Sequence, residues 1–211
     1  LQAPPGAGKS TLLPILLLQS GHYDPTRQIV MLEPRRVAAR QIARYLASQL
    51  GERVGERIGL RMRGENRVSA QTVITVVTDG VMVRQLQADP ALENVALVIF
   101  DEFHERALQT DLALALCLDS QELNEQLKLL IMSATLDLSK LSEALEAPVV
   151  CSEGRQYPVD INYWPADLFP TPEQTVDCIC HAVRQHTSSI LVFLPGVGEI
   201  KRIQERLTAR L

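Results

Sequence analysis

The chain has 211 residues, of which 46 % are hydrophobic and 22 % charged, with a formal net charge of -4 at pH 7. Such a length and composition allow one large or two small domains with a buried core, and they exclude a disordered chain. No apolar run is long enough to span a membrane, and the acidic total argues against a uniformly basic nucleic-acid-binding protein. The four cysteines follow no zinc-ligand pattern, and we expect them to be reduced, mostly buried thiols of a cytoplasmic protein.

The charge is unevenly distributed along the chain. Residues 33–67 contain nine arginines and four glutamates, without lysine or aspartate, whereas residues 79–125 contain ten acidic residues and two arginines. A basic segment of this kind can form a phosphate-binding face inside an acidic protein. An ordinary solvated helix surface would explain the same charges, so charge alone leaves both interpretations open.

A phosphate-binding loop of the Walker A type is predicted at residues 3–10, Ala-Pro-Pro-Gly-Ala-Gly-Lys-Ser. Gly6 and Gly8 allow a tight turn that points backbone N–H groups at one phosphate, and a helix starting near Gly8 would add its dipole. Lys9 would reach the β- and γ-phosphates, and the Ser10 hydroxyl would bind Mg²⁺. The motif's first glycine is Ala3 here, and the alternative is a turn with a chance lysine. The predicted nucleotide-binding residues are Pro5, Gly6, Ala7, Gly8, Lys9, Ser10 and Thr11.

Strands and helices are predicted to alternate along the first 150 residues. A helix is expected from Lys9 to Gln19, in which Pro14 either kinks the helix or forces its first turn to adapt. Further helices are expected at 35–50, 80–88, 108–118 and 137–145, and strands at 28–33, 57–63, 72–78, 96–100, 127–132 and 148–151. The strand at 57–63 alternates like an edge strand, a turn is expected at 64–66, and Asp79 is expected to cap the helix at 80–88. This order predicts an α/β fold with a parallel sheet covered on both faces and ligand-binding motifs at the strand ends.

A second unit is predicted to begin after a linker at residues 152–155, Ser-Glu-Gly-Arg. An extended segment at 157–164, a helix at 171–185, a buried strand at 189–194 and a helix from 197 onward would open another α/β lobe. The predicted domains are therefore residues 1–153 and residues 154–211.

An acidic motif follows the apolar strand at 96–100. Asp101 would hold Mg²⁺ directly or through water, and Glu102 would polarise the water that attacks the γ-phosphate. Two adjacent acids at a strand end are also common surface residues, and a histidine such as His104 near a helix start is often only a polar surface residue. The phosphate-binding loop upstream makes a catalytic pair the stronger interpretation.

The string from Asp101 to Arg106, Asp-Glu-Phe-His-Glu-Arg, resembles the motif that gives DEAH-box helicases their name, with Phe103 in place of the usual alanine. Further strings resemble the other motifs of this family in order: residues 33–39 motif Ia, residues 78–80 motif Ib, residues 133–135 motif III and residues 193–200 motif IV. Together with the loop at 3–10, the chain is similar to the bacterial superfamily 2 DEAH-box helicases of the HrpB type.

The resemblance implies two RecA-like lobes, the use of ATP and Mg²⁺, and binding of a single nucleic-acid strand, with RNA as the expected substrate. It implies catalytic roles for Lys9, Asp101, Glu102 and His104, metal ligation by Ser10 and Asp101, nucleic-acid contacts by Arg35, Arg36, Thr78 and Asp79, and coupling of hydrolysis to lobe movement by Ser133 and Thr135. Helix-end solvation remains the alternative for the two arginines. Capping of a helix can coexist with the implied role of Asp79.

The chain is therefore expected to be a fragment of an ATP-dependent helicase. Motifs V and VI, which carry the family's arginine finger, and the strand before the phosphate-binding loop are not found, so we expect the fragment alone to be inactive. One alternative is a P-loop ATPase that remodels protein complexes, which RNA stimulation of the ATPase would exclude. Another is a nucleotide-switched scaffold without catalysis, which turnover by the full-length protein would exclude.

Overall fold

The computed structural model describes residues 1–21, 24, 26–134, 139–153, 158–164 and 170–210. The chain divides into two compact units, Leu1–Gln156 and Tyr157–Leu211. No helix in the described part of the chain is long and apolar enough to cross a membrane.

The first unit is built on a six-stranded sheet with the spatial order β3-β2-β4-β1-β5-β6. Its strands are β1 (Gln28–Leu32), β2 (Ile58–Met62), β3 (Glu65–Arg67), β4 (Ile74–Val77), β5 (Val95–Phe100) and β6 (Lys128–Ile131). Its helices are α1 (Leu13–Ser20), α2 (Arg36–Gln49), α3 (Asp79–Ala88), α4 (Leu108–Leu123) and α5 (Ser139–Leu145). All neighbouring strands are parallel except β2 and β3, which form an antiparallel pair. Because parallel strands share a direction, β1, β4, β5 and β6 end at the same edge of the sheet.

Both faces of the sheet are covered, which explains why its central strands are continuously apolar. On β1, Val30 and Leu32 belong to a core cluster that includes residues of α3 and α4. Ile29 and Met31 point the other way, into a cluster with residues of α1 and α2. Successive side chains of one strand therefore supply two different cores.

The segment that leads into the phosphate-binding loop extends the sheet beyond β6. Gln2 makes parallel bridges to Ser133, just after β6, and to Cys151. The N–H of Gln2 donates to the carbonyl of Val150 at 2.8 Å, and the carbonyl of Gln2 accepts from the N–H of Ser152 at 2.8 Å. Within the described residues, the strand expected at 148–151 consists only of the bridge between Cys151 and Gln2. The loop leaves the same sheet edge as the other motifs.

Other local expectations in the first unit are also wrong, including the turn at 64–66, of which Glu65 and Asn66 belong to β3. Helix α1 begins only at Leu13, so Pro14 lies in its first turn, where a missing N–H is harmless, and the residues after Gly8 form turns instead. Strand β2 is not an edge strand, because the chain reverses at Gly64 and pairs β3 outside it. The N-cap of α3 is Thr78, and Asp79 is the first helical residue.

The second unit contains two packed helices, α6 (Pro172–Gln185) and α7 (Val197–Thr208). A capping box starts α6: Thr171 Oγ1 accepts from the N–H of Gln174 at 3.3 Å, and Gln174 Oε1 accepts from the N–H of Thr171 at 2.8 Å. The prediction of a buried strand at 189–194 is wrong. The described residues of this unit form no strand that could pair with the apolar run, and Phe193 is 86 % exposed.

Candidate active site

The phosphate-binding loop has the backbone that its glycines predict. Gly6 and Gly8 have φ values of 80° and 83°, in the left-handed region that disfavours other residues. The buried Lys9 ammonium donates to the carbonyl of Ala3 at 2.5 Å and of Pro4 at 3.0 Å. The lysine is therefore folded into its own loop, where an incoming phosphate would compete with these carbonyls for the ammonium.

The remaining loop residues continue the same turn. The N–H of Ala7 donates to the carbonyl of Pro4 at 3.3 Å, and the N–H of Thr11 donates to the carbonyl of Gly8 at 3.3 Å. The carbonyl of Gly8 also accepts from the N–H of Leu12 at 2.7 Å. Pro5 and Gly6 are exposed at the tip of the loop.

Asp101 and Ser10 meet where β5 ends beside the loop. Asp101 is fully buried, and its Oδ1 accepts from the N–H of Glu102 at 2.9 Å. Burial raises the pKa of Asp101, while a hydrogen bond with the Ser10 side chain and the charge of Lys9 act in the opposite direction. Oδ2 of Asp101 is buried and has no hydrogen-bond partner among the described residues. One unpaired carboxylate oxygen beside a hydroxyl is a donor set that fits Mg²⁺, which prefers oxygen ligands.

The acidic motif continues as a short, strained turn. Residues Phe103–Glu105 form one 3-10 turn, flanked by Glu102 and Arg106, both with φ near 49° in the left-handed region. Such a conformation costs a non-glycine residue about 1–3 kcal/mol and persists only where the surroundings hold it. The buried Phe103 supplies this support: its N–H donates to the carbonyl of Met132 at 3.1 Å, and its ring packs edge-on against Phe100. His104 Nε2 lies 3.4 Å from Glu102 Oε2.

Two of the predicted nucleic-acid-binding residues lie at the start of α2, where β1 ends. Arg35 makes a two-point contact with Glu105, with Nη2 2.7 Å from Oε1 and Nε donating to Oε2 at 3.2 Å. Arg36 is also exposed, and its Nη2 donates to the carbonyl of Arg63 at 2.9 Å. The structure therefore brings Arg35, but not Arg36, into contact with the acidic motif.

The other two, Thr78 and Asp79, follow β4 at the neighbouring strand end. Asp79 Oδ2 accepts from the Thr110 hydroxyl of α4 at 3.1 Å, while Oδ1 is buried without a hydrogen-bond partner in the described part of the chain. Neither Thr78 nor Asp79 makes a side-chain cap of α3. Asp79 is therefore held from a second helix.

The sequence and fold of this chain are similar to those of known helicases. The DEAD/DEAH box helicase model matches residues 1–144. The chain belongs to the DEAD/DEAH box helicase family. It is 52 % identical, over an alignment of 217 residues, to the ATP-dependent RNA helicase HrpB of Escherichia coli (strain K12). The alignment covers all of this chain and 26 % of that protein.

Two solved structures are similar over the whole chain. The E. coli DEAH/RHA helicase HrpB gives a TM-score of 0.89 at 50 % identity, with 27 % of that chain covered. The E. coli DExH-box NTPase HrpB gives a TM-score of 0.76 at 51 % identity, with 26 % covered. These matches confirm the predicted DEAH-box resemblance and RecA-like α/β fold. The chain spans about a quarter of the length of these relatives. Membership of the helicase family implies the use of ATP and the binding of nucleic acid.

The helicase motif III begins where β6 ends. The buried Ser133 donates its N–H to the carbonyl of Leu1 at 3.1 Å and accepts from the N–H of Ala3 at 3.2 Å. It therefore joins β6 to the segment that enters the phosphate-binding loop. Thr135, the other residue expected to couple hydrolysis to movement, lies outside the described residues.

Glu33, which the sequence predicts only as part of motif Ia, lies beside the candidate site. It is 1 % exposed at the end of β1, and its Oε1 accepts from the N–H of Arg35 at 3.3 Å. Burial, reinforced by the negative charge of Asp101, raises the pKa of Glu33 to about 8. The available signal was an acidic residue placed directly after an apolar strand and before a proline.

Two cavities in the first unit lie away from this site. One of about 550 Å³ is lined mainly by apolar residues of α1, α4, α5 and β6, and one of about 420 Å³ lies near the start of β1 and β5. The site is instead identified by its charged groups and loop backbone, because a phosphate-binding loop is an open cradle of N–H groups.

Proposed function

We propose that this chain is the ATP-binding part of an ATP-dependent RNA helicase that couples ATP hydrolysis to movement along a single strand. The observation that carries the proposal is the meeting of the Ser10 hydroxyl with the buried Asp101 carboxyl group, one oxygen of which is unpaired. Burying an unpaired carboxylate oxygen costs free energy, so this arrangement of two segments far apart in sequence does not stabilise the fold by itself. A metal-dependent phosphate site explains the cost.

The positions of the side chains support the following catalytic roles. The loop from Pro5 to Thr11 would hold the phosphates with its N–H groups, and Lys9 would exchange its two carbonyl partners for phosphate oxygens. Ser10 and Asp101 would hold Mg²⁺, which, when bound, neutralises charge on the phosphate oxygens. Glu102 would accept the proton of the attacking water, with His104 orienting its carboxylate from 3.4 Å.

The nucleic-acid strand would cross the neighbouring strand ends. Arg35 and Arg36 lie after β1, and Thr78 and Asp79 lie after β4, which is paired directly with β1. Arginine side chains and helix N-termini contact phosphates without reading bases, as a translocating protein requires. RNA is the proposed substrate because the similar E. coli protein is named an RNA helicase.

The two units would belong to the two lobes of the helicase. Residues 1–153 would form most of the first RecA-like lobe and residues 154–211 the opening of the second. ATP hydrolysis would be coupled to lobe movement by Ser133 and Thr135. Ser133 is hydrogen-bonded to the segment before the phosphate-binding loop. We place the protein in the cytoplasm because its four cysteines are free, as expected in a reducing compartment.

Asp101→Asn in the full-length protein tests this proposal. Losing the carboxylate charge should abolish ATP hydrolysis and leave nucleotide binding detectable, because the loop N–H groups and Lys9 remain. Asp119→Asn, which changes an exposed acid on α4, is the matched control and should retain wild-type turnover. Wild-type turnover in the Asp101 variant would contradict the proposed Mg²⁺ site. An ATPase that RNA does not stimulate would favour the protein-remodelling alternative.

A further inference from the structure

One contact links the proposed RNA-binding surface to the acidic motif. The guanidinium of Arg35 and the carboxylate of Glu105, 70 residues apart in sequence, meet at two points, 2.7 Å and 3.2 Å. The Arg35 side chain is 71 % exposed and that of Glu105 is 25 % exposed. Solvent, and therefore an RNA phosphate, can reach the guanidinium of Arg35 without any unfolding of the protein.

The backbone of Arg35 is fixed independently of this pair. Its N–H donates to the carboxyl group of Glu33, which is buried at the end of β1. A phosphate that displaced Glu105 would therefore find the arginine already anchored at the start of α2. Only the guanidinium and the Glu105 side chain would need to move.

Glu105 is coupled to the proposed catalytic glutamate through one short turn. The N–H of Glu105 donates to the carbonyl of Glu102 at 3.0 Å, which closes the turn. Glu102 itself has a left-handed backbone, which its neighbours must stabilise. A side chain that fixes one end of this turn thus helps to hold the conformation of Glu102 at the other end.

We propose that Glu105 is a positioning residue that competes with RNA phosphate for Arg35, so that RNA binding releases the turn carrying Glu102. A guanidinium fork binds one carboxylate or one phosphate in two-point geometry, but not both with the same N–H groups. In the RNA-free protein, Glu105 holds Arg35 and keeps the turn in its resting conformation. An RNA phosphate takes the arginine, and the freed Glu105 no longer restrains Glu102. This inference rests on the proposed helicase function.

Glu105→Gln in the full-length protein removes the charge and keeps the side-chain shape. Exposed ion pairs are weak, and the energies measured for them correspond to a factor of at most about five. The RNA concentration that half-stimulates the ATPase should therefore fall about two- to five-fold. The ATPase rate without RNA should rise, while the rate at saturating RNA stays unchanged. No change in the half-stimulating concentration would overturn the inference.

Glu122→Gln is the matched control. Glu122 is an exposed glutamate on α4, outside the turn that carries Glu102 and Glu105, so the RNA response of this variant should remain that of the wild type. A response like that of Glu105→Gln would show a general effect of acidic charge and overturn the inference.

The charge-swapped double variant Arg35→Glu/Glu105→Arg separates this role from a purely structural one. The pair can re-form, so the RNA-free ATPase should return to its low wild-type rate, whereas RNA affinity should fall because an acid now faces the phosphate. An RNA-free rate as high as that of Glu105→Gln would contradict the inference. If RNA does not stimulate the wild-type ATPase, the helicase proposal fails, and this inference fails with it.

Discussion

Replacing Glu33 by glutamine should make the protein more stable at alkaline pH. Glu33 lies almost fully buried at the end of β1, and burial raises its pKa from 4.5 to about 8. The folded state therefore keeps this carboxyl group protonated at pH values where the unfolded chain ionises it. Glutamine resembles the protonated acid in shape and can still accept the N–H of Arg35.

The magnitude follows from the difference between the two pKa values. A raised pKa in the folded state gives stability that is complete below about pH 4.5 and is lost progressively as the pH rises to about 8. A shift of about 3.5 units at about 1.4 kcal/mol each sets a ceiling near 5 kcal/mol. Between pH 5 and pH 9, the wild type should therefore lose up to about 4 kcal/mol of stability relative to Glu33→Gln.

Thermal unfolding of the nucleotide-free full-length protein between pH 5 and pH 9 measures this difference. The midpoint of Glu33→Gln should exceed that of the wild type by an amount that grows with pH and levels off above pH 8. Glu125→Gln changes an exposed glutamate and should follow the wild-type curve. Parallel curves for the wild type and Glu33→Gln would refute the reasoning, since they would mean that Glu33 titrates alike in both states.

Three further predictions concern RNA binding, packing and thiol reactivity. Changing Arg35 and Arg36 together to alanine should weaken RNA binding regardless of the RNA sequence. The slope of log binding constant against log salt concentration should become shallower by roughly 0.7 for each lost phosphate contact, and an unchanged slope would mean that both arginines only solvate the helix end. Gly59→Ala would place a Cβ 2.7 Å from a threonine side chain, so it should cost about 1–3 kcal/mol in urea unfolding, and a wild-type midpoint would contradict this. Burial raises the pKa of Cys117 to about 12, so mass spectrometry after thiol labelling at pH 8 should find the exposed Cys151 modified and Cys117 unmodified until unfolding; equal rates would be inconsistent with this packing.

The centre of the sheet and its site could be predicted because their signals are local. A strand buried on both faces is apolar throughout, so β1 and β5 can be recognised as short apolar runs that are followed directly by Glu33 and Asp101. Parallel strands then place those ends at one edge, which is enough to gather the motifs. The glycines of the phosphate-binding loop are an equally local signal, because glycine adopts the loop's positive φ values without a steric penalty.

The errors concern features that depend on distant neighbours. The apolar run at 189–194 has the composition of a strand, but a strand needs a partner, and the described residues of its unit supply none. The contact of Asp79 with Thr110 depends on how α4 packs against α3, which no local pattern encodes. The Arg35–Glu105 pair likewise depends on which strands are adjacent, and the order of strands was not predicted.

The position of Gln2 has a mechanical consequence. Its backbone is hydrogen-bonded on one side to residues 150 and 152, near the end of the first unit, and three residues separate it from Gly6. Tension applied to the chain after residue 152 would load these two hydrogen bonds before it reached the rest of the sheet. A pull at residue 152 would therefore act on the base of the phosphate-binding loop, and a movement of the loop would act on residues 150 and 152, through the two hydrogen bonds of Gln2.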